Sequence, residues 1–173
     1  MKPPRDFVVP CLLIQPEITI INDPVHGFIE IPEGILLDLI DTEVFQRLRR
    51  IKQLALSSLV YPGALHSRFN HAIGAMHLTR QALDVLRAKE IEISTEEYEA
   101  TLIAILLHDI GHGPFSHALE SVILPGLHHE AMSKSMMDFL NKKFHGKLTS
   151  SARNHTRWPR LRVPPRENGS LST

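Results

Sequence analysis

From residue 35 onward the apolar positions recur at helical spacing; before that they do not. Ile35, Leu36, Leu39 and Ile40 form one stripe. Phe45, Leu48, Ile51 and Leu54 form a second, with Gln46, Arg47, Arg49, Arg50 and Lys52 between them. The second stripe reads as an amphipathic helix with a charged, solvated face. Tyr61-Pro62-Gly63 ends it. A third helix is expected over residues 70–89, with Ile73, Met76, His77, Leu83 and Leu86 on or near its buried side. Ser94-Thr95-Glu96-Glu97 forms a capping box, Ser at the N-cap and Glu at N3. The helix it starts is almost wholly apolar from Leu102 to Leu107, so it belongs at the centre of the fold. A last amphipathic helix follows His129, with Met132, Met136, Phe139 and Leu140 inward.

The ends of the chain have a different character. Residues 1–16 hold four prolines and read as extended. Residues 17–31 alternate loosely about Asn22-Asp23-Pro24, a turn signal, which predicts a hairpin of 18–21 with 28–31. Residues 149–173 contain five Arg and three Pro and no apolar period, too little burial to offset the entropy of ordering. The expected organisation is an N-terminal arm (1–17), a body (18–147) and a disordered tail (148–173). The body is mainly α with a small N-terminal β element.

Composition narrows the class. The 173 residues are 43% hydrophobic and 22% charged, which suits one soluble domain with a real core. Formal net charge is +0, so no overall field draws the chain to nucleic acid or to a membrane. The single cysteine, Cys11, excludes an internal disulfide and fits a reducing compartment. Residues 7–14 follow Lys2 and Arg5 like a short signal core, but Pro10 interrupts them and no small-residue cleavage site follows. No apolar run approaches the ~20 residues that span a bilayer. The expected location is cytoplasmic.

Eleven histidines is a high count for this length. The densest run is His108-Asp109-Ile110-Gly111-His112-Gly113-Pro114-Phe115-Ser116-His117. His and Asp side by side offer two metal ligands of different hardness, and mixed N/O sites with open positions are characteristic of catalytic metals. His71 begins one helix and His108-Asp109 end another, so two facing helices could bring all three to one ion. Gly111 and Gly113 allow close backbone approach. The cluster points to metal-assisted hydrolysis of a phosphate ester.

Six ordered motifs make the reading specific. Ile21-Asn22-Asp23-Pro24-Val25-His26-Gly27, Phe45-Gln46-Arg47-Leu48-Arg49, Ile51-Lys52-Gln53-Leu54, Tyr61-Pro62-Gly63, His66-Ser67-Arg68-Phe69-Asn70-His71 and the His108–His117 run together resemble the HD-domain phosphohydrolases. Their order and spacing are most similar to the branch of the deoxynucleoside triphosphate triphosphohydrolases, over about residues 18–147. In animals that branch includes the sterile-alpha-motif-and-HD enzyme.

The resemblance implies an HD-domain helical fold and one divalent metal ion (Mn, Fe, Ni, Co, Zn or Mg) on His71, His108 and Asp109. It implies a fourth ligand, an Asp on a later helix, yet no Asp follows Asp138. Truncation or a shifted reading frame after Lys147 would account for that and for the basic tail. Arg68 matches a residue that reaches a substrate phosphate, and a guanidinium fork suits phosphate oxygens. His112 and His117 match groups facing the phosphates and the scissile bond. His129, oriented by Glu120, matches a general acid for the leaving oxygen. Gln53 matches a position near a deoxyribose. Asp41, Gln46 and Arg49 match a regulatory guanine-nucleotide site between subunits, though Thr19 stands where that site carries a basic residue. The implied partners are a nucleotide substrate, foremost a dNTP, and a homo-oligomer. The alternatives are another nucleotide or phosphomonoester on the same site, and an inactive fragment that binds metal or nucleotide without turnover.

Overall fold

A computed structural model describes residues 18–115 and 129–148. Strands β1 (Thr19–Asp23) and β2 (Gly27–Ile31) pair antiparallel, with Thr19 opposite Ile31 and Asp23 opposite Gly27. Gly27 takes φ 73, which frees it to close the turn. Alternation decides which side of the ribbon is buried: Ile29 and Ile31 enter the core, while Ile20 and Phe28 stay exposed. This is the hairpin that the sequence predicts, with the first strand starting one residue later and ending two later, and the second starting one residue earlier.

Helix α1 (Ile35–Ile40) buries Leu36, Leu39 and Ile40. The next stripe departs from its expected form. Thr42 caps a short α2 (Glu43–Gln46) by accepting from the Phe45 N–H. The chain then tightens into a 3-10 turn, Arg47–Arg50, and becomes extended at Ile51. Apolar spacing of three fits a three-residue turn better than an α-helix, so Phe45, Leu48 and Ile51 are buried while Leu54 is 45% exposed. Lys52 then forms a β-bridge with Ser67. The Gln53 N–H donates to His66 and the Arg68 N–H to Ile51, at 3.0 and 2.8 Å. That bridge sets Gln53 beside the start of the next helix.

Helix α3 (Arg68–Ala88) is capped by Ser67, and α4 (Thr95–Leu107) by the reciprocal Ser94–Glu97 box. A short connection makes two such helices antiparallel neighbours. The first turn of α3 therefore lies against the last turn of α4. Ala72, Ile73 and Met76 from α3 share the core with Leu102, Ile103, Leu106 and Leu107 from α4. Helix α5 (His129–Lys143) adds Leu140. Leu140 is inward as expected, but Phe139, also expected inward, is 56% exposed, because adjacent helix positions point about 100° apart. Leu148, expected in the tail, is buried with the core. The arm and the remainder of the tail lie outside the described residues.

Asp23 ties the hairpin to α3. Its Oδ1 accepts from the backbone N–H groups of Val25 and His26, and its Oδ2 from the Asn70 amide. Burial pushes the carboxyl up, but these donors and the charge of His26 outweigh it and hold the pKa below the ordinary carboxylate value. A depressed carboxyl contributes stability that is present above its unfolded pKa of ~4 and is lost as pH falls through the folded value. Urea titrations from pH 5 to pH 3 should therefore show a shallower loss of stability in Asp23→Asn than in the unaltered chain. Parallel slopes would remove Asp23 from the acid transition.

Candidate metal centre

Two local rules place the candidate ligands. The Ser67 cap starts α3 so that His71 falls in its first turn, on the side of α4. The apolar run of α4 ends at Leu107, and the chain surfaces at His108. Asp109 then turns back inward. The histidine side chains are 37% and 35% exposed, and the carboxylate 13%.

The His71 and His108 Nε2 atoms stand 3.2 Å apart. His108 Nδ1 is 2.6 Å from the Ile105 carbonyl, which can only accept, so Nδ1 carries the proton and Nε2 presents its lone pair. Asp109 Oδ1 is 3.3 Å from His108 Nε2, and its Oδ2 is 3.8 Å from His71 Nε2. Ligands about 2.1 Å from one ion stand about 3.0–3.4 Å apart. One ligand atom from each of the three residues falls within 4.8 Å of the others. Two imidazoles and a carboxylate in that arrangement fit a divalent cation.

The charges are arranged for this. Burial pushes Asp109 up, but His108, Arg68, His112 and a hydrogen bond from Gln53 outweigh it, so the carboxyl stays below its ordinary pKa and ionised. Burial, followed by the charge of His108, pushes His71 down, so its nitrogen is neutral and available at neutral pH.

Most of the other residues expected at the site are brought here. Arg68 is buried, and its Nη1 donates to Asp109 Oδ2 at 2.6 Å. Gln53 Nε2 reaches the same oxygen at 3.4 Å. His112 is buried with Nε2 3.5 Å from Asp109 Oδ1. Its ring stacks on His129, the first residue of α5, at 4.2 Å and 15°. His117 and Glu120 lie outside the described residues. Asp41, Gln46 and Arg49 lie apart from the cluster. Gln46 donates to the Ile40 carbonyl, and Arg49 donates to Gln46 and covers the Phe69 ring at 3.6 Å. Asp41 is exposed.

Sequence reasoning missed Arg47 and Ser133. Arg47 was assigned to a solvated face, yet it donates to the carbonyls of Ile110 and His112 and to Met136 Sδ. Nothing in the sequence separates it from Arg49 or Arg50. Ser133 on α5 accepts the Gly111 N–H at 3.0 Å.

A helical domain with a His-Asp pair emerging from its central helix onto a histidine of the neighbouring helix is the class that this geometry defines. Residues 68–169 match the HD domain family, and the chain belongs to it. A Dictyostelium discoideum protein named as a deoxynucleoside triphosphate triphosphohydrolase SAMHD1 homolog is 48% identical over 128 residues, covering 70% of this chain and 25% of that protein. The SAMHD1 triphosphohydrolase of Danio rerio is 43% identical over 129 residues, covering 70% and 21%. A phosphohydrolase of known structure from Bacteroides thetaiotaomicron superposes with a TM-score of 0.79 at 49% identity, covering 83% of this chain and 36% of that one. The chain spans about a quarter of the length of the curated relatives it matches. Among the described residues no helix is long and apolar enough to cross a membrane.

Gly111 is sterically obligatory. A Cβ there would lie 2.3 Å from the Ser133 backbone nitrogen and 2.4 Å from the His129 carbonyl. Helix backbone cannot yield locally, so Gly111→Ala should cost about 1–3 kcal/mol or more in thermal unfolding. Unchanged stability would mean that α5 does not pack on this loop in solution.

Proposed function

We infer that this chain is the ligand-bearing part of a metal-dependent phosphohydrolase acting on nucleotides, with deoxynucleoside triphosphates as the leading substrates. The observation that carries the reading is the His71–His108 pair at 3.2 Å against the ionised Asp109. The names of the relatives supply the substrate class. A cation held by His71, His108 and Asp109 would polarise a phosphoryl oxygen and orient the attacking water.

The chain's own residues account for the remaining steps. Water adds to the α-phosphorus, and the bond from phosphorus to the 5′ oxygen breaks, giving deoxynucleoside and triphosphate. Arg68 and His112 lie beside Asp109, where a bound phosphate would meet them. A guanidinium has five donors, so a contact with Asp109 leaves it able to address a phosphate oxygen as well. His117 is assigned to the same phosphates. Gln53 faces the sugar. His129, oriented by Glu120, gives its proton to the departing 5′ oxygen, which would otherwise leave as an alkoxide.

A second reading is binding of a cation without turnover. It is favoured by the size of the ligand set: three residues among those described, with Asp138 exposed on α5 and outside the cluster. One experiment separates the readings. The chain is incubated with Mn²⁺ and a panel of dNTPs, NTPs and nucleoside monophosphates, and the products are identified. Release of triphosphate, reduced at least about a hundredfold in His108→Ala, supports the first reading. Release of inorganic phosphate instead moves the substrate to another phosphate ester. Mn²⁺ binding with no product supports the second.

A further inference from the structure

The turn behind the ligand pair is gripped from two sides by side chains that reach no ligand atom. Arg47 donates from Nη1 to the His112 carbonyl at 2.9 Å and from Nη2 to the Ile110 carbonyl. Between those two carbonyls, the Gly111 N–H donates to Ser133 Oγ. Three consecutive residues directly after Asp109 thus have a backbone group claimed by a distant element. The turn's own contribution is slight: Ile110 N–H to Leu107 and His112 N–H to Asp109, at 3.1 and 3.2 Å. The glycine at its centre would allow many other conformations.

A guanidinium is planar and rigid, so it fixes the spacing and direction of both carbonyls together. The Ile110 carbonyl lies one residue beyond Asp109, and the His112 carbonyl belongs to the peptide that follows the His112 ring, so holding both fixes the course of the chain that leaves Asp109 and carries His112. Net stability is a weak reason for a guanidinium here. Arg47 Nε is buried with no hydrogen-bond partner among the described residues, and burying a charge offsets much of what its hydrogen bonds contribute.

We propose that Arg47, seconded by Ser133, is a positioning residue for the metal centre: it holds the Ile110–His112 turn so that Asp109 meets His71 and His108 at ligand spacing. It touches neither cation nor substrate. This role rests on the reading of His71, His108 and Asp109 as a cation site, and extends it to a residue on a different element.

The test uses Co²⁺ as the probe, titrated into the full chain and followed by its visible ligand-field absorption, with circular dichroism as the check on folding. Arg47→Lys keeps the charge but cannot span two carbonyls. It should bind Co²⁺ about tenfold more weakly, with a shifted band, at temperatures where both chains are folded. Ser133→Ala removes one oxygen and no bulk, so it stays folded, and should show a smaller weakening with a shift in the same direction. Arg50→Ala, an exposed neighbour, should match the unaltered chain. Millimolar guanidinium added to Arg47→Ala should restore part of the band.

Wild-type affinity and band shape in a folded Arg47→Lys overturn the positioning role and leave the cation site standing. Should Arg47→Lys not fold, wild-type behaviour in Ser133→Ala overturns the role in the same way. Failure of the unaltered chain to bind Co²⁺, or binding that survives His71→Ala, overturns the cation site and the role with it.

Discussion

The carboxylate of Asp109 is the constraint around which the rest is arranged. A buried negative charge is costly unless it is met on every side, and here it is met by groups from three separate segments of the chain. Arg68 from α3 makes the shortest contact, Gln53 comes from the bridge before α3, and His108 and His112 come from its own segment. His71 completes the ring. The same carboxylate therefore balances charge in the core and belongs to a cluster that could hold a cation. Fold and site cannot be separated at this residue: the Lys52–Ser67 bridge, the α3 cap and the end of α4 all serve to bring donors to it.

The elements whose sequence carries a local signal were legible. The Ser94 box, the Asn22-Asp23-Pro24 turn and the apolar run ending at Leu107 each have a cause within a few residues, and each is found where it is expected. The clustering of His71 with His108 and Asp109 was legible through spacing and resemblance together, since His71 and His108-Asp109 sit at the facing ends of two neighbouring helices. The Phe45–Leu54 stripe was misread because spacing of three occurs both on one face of an α-helix and in a 3-10 turn, and the bridge from Lys52 to Ser67 decides between them. On α5 the expected inward face was one residue too wide, since Phe139 and Leu140 are both apolar and only packing distinguishes them.

Long-range polar contacts are what the pattern could not convey. Arg47, Arg49 and Arg50 are three cations in four positions with three different fates: one is half-buried against the 110–112 turn, one lies on Phe69, one points to solvent. Which is which depends on the twist of a four-residue turn relative to a loop more than sixty positions away. Likewise, Arg49 donates to Gln46, which donates to the Ile40 carbonyl, and this gives both a local use whether or not a nucleotide ever meets them.

The contact between Gly111 and α5 has a wider bearing. No described residue of α5 belongs to the ligand triad, yet the helix's first turns lie against the backbone of the segment that carries two of the three ligands. Docking of α5 and any occupation of the site by a cation would then be linked equilibria, each altering the other by the same factor. A cation bound to the cluster would hold down a helix none of whose described residues belongs to it. Anything that pulls on α5, including whatever chain continues from it, would be felt as a change in how tightly the ion is kept.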